Sequence, residues 1–177
     1  MVCLLVQTAV HVYFRRILGV AVYETSRPTV PKVVRDILVG IPLCELLFYS
    51  FHALLHRPRL YRRIHKVHHS YTAPIALAAQ FAHPVEHVLT FYVPVMLAPA
   101  AVRANVLSMW IFVGMVGFES CTVHSGFRVS ALAERHDRHH KKGMQGGYGT
   151  FRFLDWIFGT EMKELRPDQE VVRDKNA

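Results

Sequence analysis

Apolar residues fall into long runs that short basic, histidine-bearing segments separate. Residues 1–23 form a first run, broken by one histidine and two arginines, and residues 33–55 form a second run with few charges. Two further runs without any charge extend over 88–102 and 104–118, with Arg103 alone between them. Apolar runs of this length predict helices, so we expect an all-α fold.

The two uncharged runs have the length of short helices. Each would form a helix of about 22 Å, less than the roughly 30 Å of a bilayer core. The pattern therefore predicts either a membrane hairpin over 88–118 or the buried core of a soluble domain. Tyr92 and Trp110 lie among the aliphatic residues of a basic chain, and this favours the membrane hairpin.

Prolines and glycines predict where the helices break. The stretch Thr25–Pro31 contains two prolines and predicts a linker. Gly40 and Pro42 predict a kink or a split in the helix over 33–55. We therefore expect an apolar anchor and linker over 1–32, one domain over 33–163, and a polar tail over 164–177.

Charge and cysteine content narrow the class of protein. The 177 residues include 21 Lys and Arg against 13 Asp and Glu, a net charge of +8, which suits an anionic membrane, an acidic protein or nucleic acid. The three cysteines lie far apart and form no C-x-x-C pair. This excludes a disulfide scaffold and a cysteine zinc finger.

The chain contains twelve histidines, and most of them lie in clusters that indicate a specific function. They recur three and four residues apart, the spacing that places side chains on one helix face. The clusters are His52 with His56, His83 with His87, and two H-x-x-H-H motifs at 65–69 and 136–140; His124 follows the last apolar run. One such pair is typical of a solvated helix surface. Several clusters in one small domain predict metal ligands, because charged imidazoles would repel and neutral ones need a metal or a hydrogen-bond partner.

The number of histidines bears on how many metal ions are expected. The first pair and the two H-x-x-H-H motifs contain eight histidines, more than one tetrahedral site uses. The sequence therefore predicts two metal ions or one crowded site. Imidazole ligands suit iron, copper and zinc alike, so they do not choose the element.

Three histidine motifs carry a resemblance to a known family. They read FHALLH at 51–56, HKVHH at 65–69 and HDRHH at 136–140. With them, residues 40–163 resemble the fatty acid hydroxylase/sterol desaturase superfamily. Within it, the chain is most similar to the C-4 methylsterol oxidase (methylsterol monooxygenase) branch, on the stretches TAP at 72–74, AHPVEH at 82–87, HSGF at 124–127 and LDWIFGT at 154–160.

The resemblance implies an integral membrane enzyme of the endoplasmic reticulum, with helical hairpins below a cytosolic, histidine-rich helical cap. Members of the superfamily hold two irons, use O2, and take electrons from cytochrome b5 and its reductase. The implied reaction is hydroxylation or oxidation of a sterol C-4 methyl group or a related lipid. The implied ligands of the di-iron centre, which could hold zinc once isolated, are His52, His56, His65, His68, His69, His136, His139 and His140, with His124 as a ninth and His83 as a further candidate.

Acidic and basic residues near these motifs have expected supporting roles. Asp137, Glu45 and Glu86 could orient the N–H groups of the ligand rings, or be merely solvated or capping residues. The basic segments 57–66 and 135–142 belong on the cytosolic side by charge asymmetry. Anionic lipid headgroups or an acidic cytochrome could dock on them.

Other functions stay open at this point. One is a non-catalytic family member that binds metal or lipid without turnover, and another is a fatty acid hydroxylase or desaturase of the same superfamily. A nucleic-acid binder is disfavoured, because the basic stretches are filled with ligand-spaced histidines. Methylsterol oxidases carry a longer stretch, with a further hairpin, before their first histidine motif than residues 1–51 provide. We therefore expect a partial, alternatively spliced or divergent short chain.

Overall fold

The computed structural model describes residues 8–9, 11–13, 15–16, 23–71, 75–127, 130–142 and 145–162, and every regular element among them is helical. An isolated β-bridge between Glu24 and Asn105 is the nearest approach to a strand in that part of the chain. The α-helices are α1 (Val30–Leu55), α2 (Pro58–Arg63), α3 (Pro84–His87), α4 (Val93–Ala101), α5 (Val106–Val123), α6 (Ala131–Lys142) and α7 (Arg152–Phe158). Two 3₁₀ segments (His65–Ser70 and Ala76–Gln80) and a π turn (Val88–Tyr92) lie between these helices, and the described residues 8–9, 11–13 and 15–16 are also helical.

Helix α1 is a single element of 26 residues. Of the predicted kink or split at Gly40 and Pro42, the split is wrong, because the helix continues through both residues to Leu55, and the kink stays a prediction. Proline removes only one backbone hydrogen bond, and packing against α4 and α5 holds the turns on both sides. The predicted tail over 164–177 lies outside the described residues, as does about half of the predicted anchor and linker over 1–32, whose described residues 8–9, 11–13 and 15–16 are helical.

Helices α1 and α5 run parallel to each other. Near their N-terminal ends, Asp36 Oδ2 accepts a hydrogen bond of 2.9 Å from the backbone N–H of Asn105. Asn105 in turn caps α5, since its Oδ1 accepts from the N–H of Leu107 at 2.9 Å. Further along, Gly40 faces Phe112. Both C-terminal ends therefore point the same way, and each ends at predicted ligands.

The chain returns between these two helices through residues 84–101. This return segment consists of α3, the π turn and α4, and its 18 residues span about 27 Å. A short loop, in which Arg103 has φ 49°, joins it to α5. The two uncharged runs of the predicted hairpin thus correspond to the return segment and α5, and α1 packs beside both.

Helices α1 and α5 are long and apolar enough to cross a membrane, the two that meet this test among the described residues. In the most apolar 18-residue window of each, 28% of the residues are buried inside the protein. A core helix of a soluble protein would be covered more completely. The return segment does not form one continuous α-helix, because the π turn interrupts it.

Glycine at position 40 permits close packing of α1 against α5. A Cβ placed there would lie 3.2 Å from Cε2 of Phe112, whose ring is 2% exposed. Small residues at such crossings let helices approach closely.

Replacing this glycine is expected to cost stability. Gly40→Ala should be less stable than Gly117→Ala by about 1–3 kcal/mol, because the added methyl must displace the buried Phe112 ring. Gly117 is the matched control, since it lies in α5 and nothing surrounds its Cβ position within 4 Å. Thermal unfolding of both variants in one detergent measures the difference, and equal stability would show that the contact is unimportant.

Candidate metal centre

Nine of the histidines come together in two groups at the C-terminal ends of α1 and α5. In each group, the ligand atoms lie within 4.8 Å of one another. The five-histidine group comprises His52, His56, His65, His69 and His139. The four-histidine group comprises His68, His124, His136 and His140. The eight histidines of the three motifs and His124 are therefore all brought together.

Each H-x-x-H-H motif contributes to both groups. His65 and His69 enter the five-histidine group while His68 enters the other; His136 and His140 enter the four-histidine group while His139 crosses over. Residues four apart share a face, and the residue between them points to the neighbouring group. The spacing predicts one shared face for all three residues of a motif, so the division between two groups is a finding of the structure.

Backbone carbonyls fix the tautomers of several rings. Nδ1 of His52 lies 2.6 Å from the carbonyl oxygen of Tyr148, and Nδ1 of His139 lies 2.9 Å from that of Gly146. In the four-histidine group, the Nδ1 atoms of His68 and His124 face carbonyl oxygens in the same way. A carbonyl oxygen only accepts hydrogen bonds, so Nδ1 carries the proton and Nε2 keeps a free lone pair.

These lone pairs converge. Nε2 of His124 lies 3.2 Å from Nε2 of His68 and 2.8 Å from Nε2 of His136. Two unprotonated nitrogens cannot hydrogen-bond to each other, so the first contact suits a cation bound between the rings. The donor chemistry of both groups therefore fits a metal ion bound by imidazole nitrogens.

The rings are neutral at pH 7. Burial lowers the pKa of His68 and of His139 to about 4, with neighbouring histidines adding to the effect. Burial and the histidines around them lower the pKa of His56 and His140 to about 2. Metal ligands must be unprotonated, and these imidazoles are already in that state.

Glu86 supports the five-histidine group directly. Its Oε1 lies 2.6 Å from Nδ1 of His65, and both side chains are buried. Oε2 of Glu86 and the Nδ1 atoms of His56, His69 and His140 are buried without hydrogen-bond partners among the described residues. The contact with a ring nitrogen is the kind expected for this acid.

Glu45 and Asp155 act on a loop rather than on a ring. Oε1 of Glu45 accepts from the N–H of Phe151 at 2.9 Å, so this acid bonds to the loop and not to a histidine ring, which was one of its two expected roles. Asp155 is fully buried and accepts from the N–H groups of Tyr148 and Gly149 at 2.8 and 3.0 Å. It also forms an ion pair with Arg135. These carboxylates hold the loop whose carbonyls orient His52 and His139.

Two glycines allow that loop to turn. Gly146 and Gly147 have φ of 106° and 75°, which favour glycine. A Cβ at Gly146 would lie 2.3 Å from the carbonyl oxygen of Thr160. Asp155 and this turn were missed as functional residues by sequence reasoning, although the LDW stretch that contains Asp155 is part of the resemblance.

Two other predicted residues lie apart from the groups. His83 is outside both, and its Nδ1 accepts a hydrogen bond from the N–H of Val85 at the start of α3. This capping role occupies Nδ1, and because the ring belongs to neither group, the structure does not bring His83 to a metal site. Asp137 is half-buried on α6, and its proposed action on a ring stays a prediction.

A cavity of about 210 Å³ borders both groups. Its apolar wall comes from α1, the return segment and α5, with Ile41, Phe48, Phe91, Val95, Met115 and Val116. His52 and His65 reach it from one group, and His68, His124 and His136 reach it from the other. The arrangement can hold an apolar molecule beside two metal ions.

The fold and this site define a class: an all-helical protein with candidate membrane helices and a histidine-rich site that could bind two metal ions. Residues 37–160 match the family model described as "Fatty acid hydroxylase". The chain belongs to the fatty acid hydroxylase family.

Individual relatives agree with this family. The chain is 38% identical over 140 residues to "Fatty acid hydroxylase ahd1" of Mycosarcoma maydis, covering 78% of this chain and 36% of the relative. It is 34% identical over 136 residues to "Fatty acid hydroxylase domain-containing protein 2" of Homo sapiens, covering 76% of this chain and 40% of the relative. It is 30% identical over 147 residues to "Methylsterol monooxygenase 2-2" of Arabidopsis thaliana, covering 76% of this chain and 55% of the relative.

The chain thus spans between about a third and just over half of the length of these relatives. No solved structure matches it significantly.

Proposed function

We propose that this chain is the metal-binding domain of a membrane oxygenase that uses O2 to hydroxylate or oxidise an aliphatic carbon of a lipid. The observation that carries the proposal is the convergence of nine histidines beside an apolar cavity. Family membership supports the same conclusion, since relatives are named as hydroxylases and a monooxygenase.

We propose iron as the metal of both groups, held by the nine histidines. Bound iron would supply the redox chemistry that activates O2, which side-chain acids and bases cannot provide against an aliphatic C–H bond. The chain's own contribution is to orient the rings. The carbonyls of Gly146 and Tyr148 and the carboxylate of Glu86 hold Nδ1 protons, so that Nε2 stays free for a metal.

The proposed substrate is a sterol with a C-4 methyl group, with a fatty acyl lipid as the second candidate. The methylsterol monooxygenase of Arabidopsis supports the first. The second is favoured by the higher identity to the Mycosarcoma hydroxylase. In both cases the substrate would enter from the bilayer and place its reacting end in the apolar cavity.

We further propose that the site faces the cytosol at the endoplasmic reticulum membrane. Arg57, Arg59, Arg62, Arg63 and Lys66 follow the C-terminal end of α1, and basic residues favour the cytosolic side. The same basic residues suit the acidic surface of an electron donor such as cytochrome b5, supplied by its reductase.

A substrate panel tests this function. Membranes that contain the chain, cytochrome b5 and its reductase are given O2 and either a 4,4-dimethylsterol or a C18 fatty acyl lipid. We expect an oxygenated product from one lipid, detected by mass spectrometry, and none with His136→Ala. A wild-type protein loaded with two irons that oxidises neither lipid would favour a non-catalytic family member.

A further inference from the structure

Glu119 is an acidic residue that the site described above does not use. It lies in α5, one of the two candidate membrane helices, and lines the cavity. Its Oε1 is buried and has no hydrogen-bond partner among the described residues. An unpaired polar group costs free energy when it is buried, and an ionisable residue inside a membrane usually has a function.

The buried acids of α1 have hydrogen-bond partners, which makes Glu119 distinct. Asp36 accepts from the N–H of Asn105 at 2.9 Å, and Glu45 accepts from the N–H of Phe151 at 2.9 Å. Both stabilise the fold through these bonds. Glu119 makes no comparable bond through Oε1, so the fold does not explain its presence.

We propose that Glu119 accepts a hydrogen bond from the hydroxyl group of a lipid alcohol bound in the cavity. The inference rests on the proposed function and names its substrate class. The wall around Glu119 includes Val95, Met115 and Val116, so the ligand is apolar around its polar group. A carboxylate needs a donor, and a hydroxyl provides one without adding charge.

The carboxyl groups that line the cavity also disfavour a free fatty acid as its ligand. Glu45 also lines the cavity, so the carboxylate of a fatty acid would lie near two carboxyl groups, and Arg135, the cationic side chain of the lining, is already paired with Asp155. The cavity of about 210 Å³ is smaller than the roughly 300–1,000 Å³ of sites that enclose a drug-sized ligand. It therefore takes the hydroxyl-bearing end of a lipid, and the remainder extends along the helices.

The position of Glu119 also indicates which carbons of the bound lipid lie next to the four-histidine group. Glu119 and His124 are five residues apart, about 7.5 Å along the helix axis. A lipid held by its hydroxyl at Glu119 thus places carbons near that hydroxyl beside the four-histidine group. The far end of a long chain is too distant.

Equilibrium binding to the detergent-purified full chain tests the proposal without turnover. The probes are cholesterol and octadecan-1-ol, each compared with its O-methyl ether, which keeps the oxygen but cannot donate. We expect wild type to bind at least one alcohol about tenfold more tightly than its ether. Glu119→Leu should bring that ratio to about one, and Glu119→Gln should keep most of it, because its amide oxygen accepts.

Two controls make the result specific. Glu134→Gln changes an exposed acid of α6 that does not line the cavity and should keep the wild-type ratio. Glu119→Leu should unfold at the same or a higher temperature than wild type, since it removes a carboxyl whose Oε1 is buried without a hydrogen-bond partner among the described residues. Equal binding of alcohol and ether by wild type, a preference that survives in Glu119→Leu, or a destabilised Glu119→Leu that binds neither probe would each overturn the proposal. Protein that keeps the preference but forms no product would instead refute the oxygenase.

Discussion

Purified in detergent and supplied with iron, the chain is expected to hold about two metal ions, and His68→Ala at most one. His68 belongs to the four-histidine group, where its Nε2 lies 3.2 Å from that of His124. Removing one ligand leaves three nitrogens and a gap the size of an imidazole ring at the site. Elemental analysis of the metal per chain measures the loss, and absorption spectra distinguish iron from zinc.

His83→Ala is the matched control for this experiment. His83 is also a histidine close to the site in sequence, but it caps α3 and lies outside both groups. It should keep two metal ions. Folded wild-type protein without stoichiometric metal, or an equal loss in His83→Ala, would contradict a dinuclear centre.

Substituting Asp155 is expected to have the largest effect on stability. Asp155→Ala removes the partner of Arg135 and of the Tyr148 and Gly149 N–H groups. Breaking a buried ion pair on one side costs about 3–5 kcal/mol, because the remaining charge stays buried. The loop that holds His52 and His139 should also loosen, so the five-histidine group should lose its metal.

Thermal unfolding and metal content of Asp155→Ala check both effects. Glu134→Gln serves as the control, since Glu134 is an exposed acid on α6 and should behave as wild type. If Asp155→Ala unfolded at the temperature of this control and kept both ions, the loop would not depend on the carboxylate.

The sequence predicted the chemistry of the site better than its geometry. The spacing of histidines identified the clusters, and the resemblance added His124, because these signals are local. Their division into five and four required the relative placement of α1, α5 and α6, which no local pattern contains. The same holds for Asp155, whose partners lie on α6 and in the glycine turn.

The differences in the fold have similar causes. Pro42 predicts a break from its own chemistry, but long-range packing along α1 keeps the helix intact. Glu45 was one of three acids expected either at a ligand ring or in a solvated or capping role, and the loop that it binds comes from residues more than a hundred positions later. The parallel course of α1 and α5 depends on Asp36 and Asn105, a pair separated by 69 residues.

The crossing of ligands between the two groups has a consequence for cooperativity. Each H-x-x-H-H motif serves both groups, so an ion in either one restrains the 3₁₀ segment and α6 together. The entropy cost of ordering these segments is then paid mainly by the first ion, and the second binds to ligands already in place. During loading, chains with one ion should be rarer than empty and doubly loaded ones, so that the two sites fill as a unit.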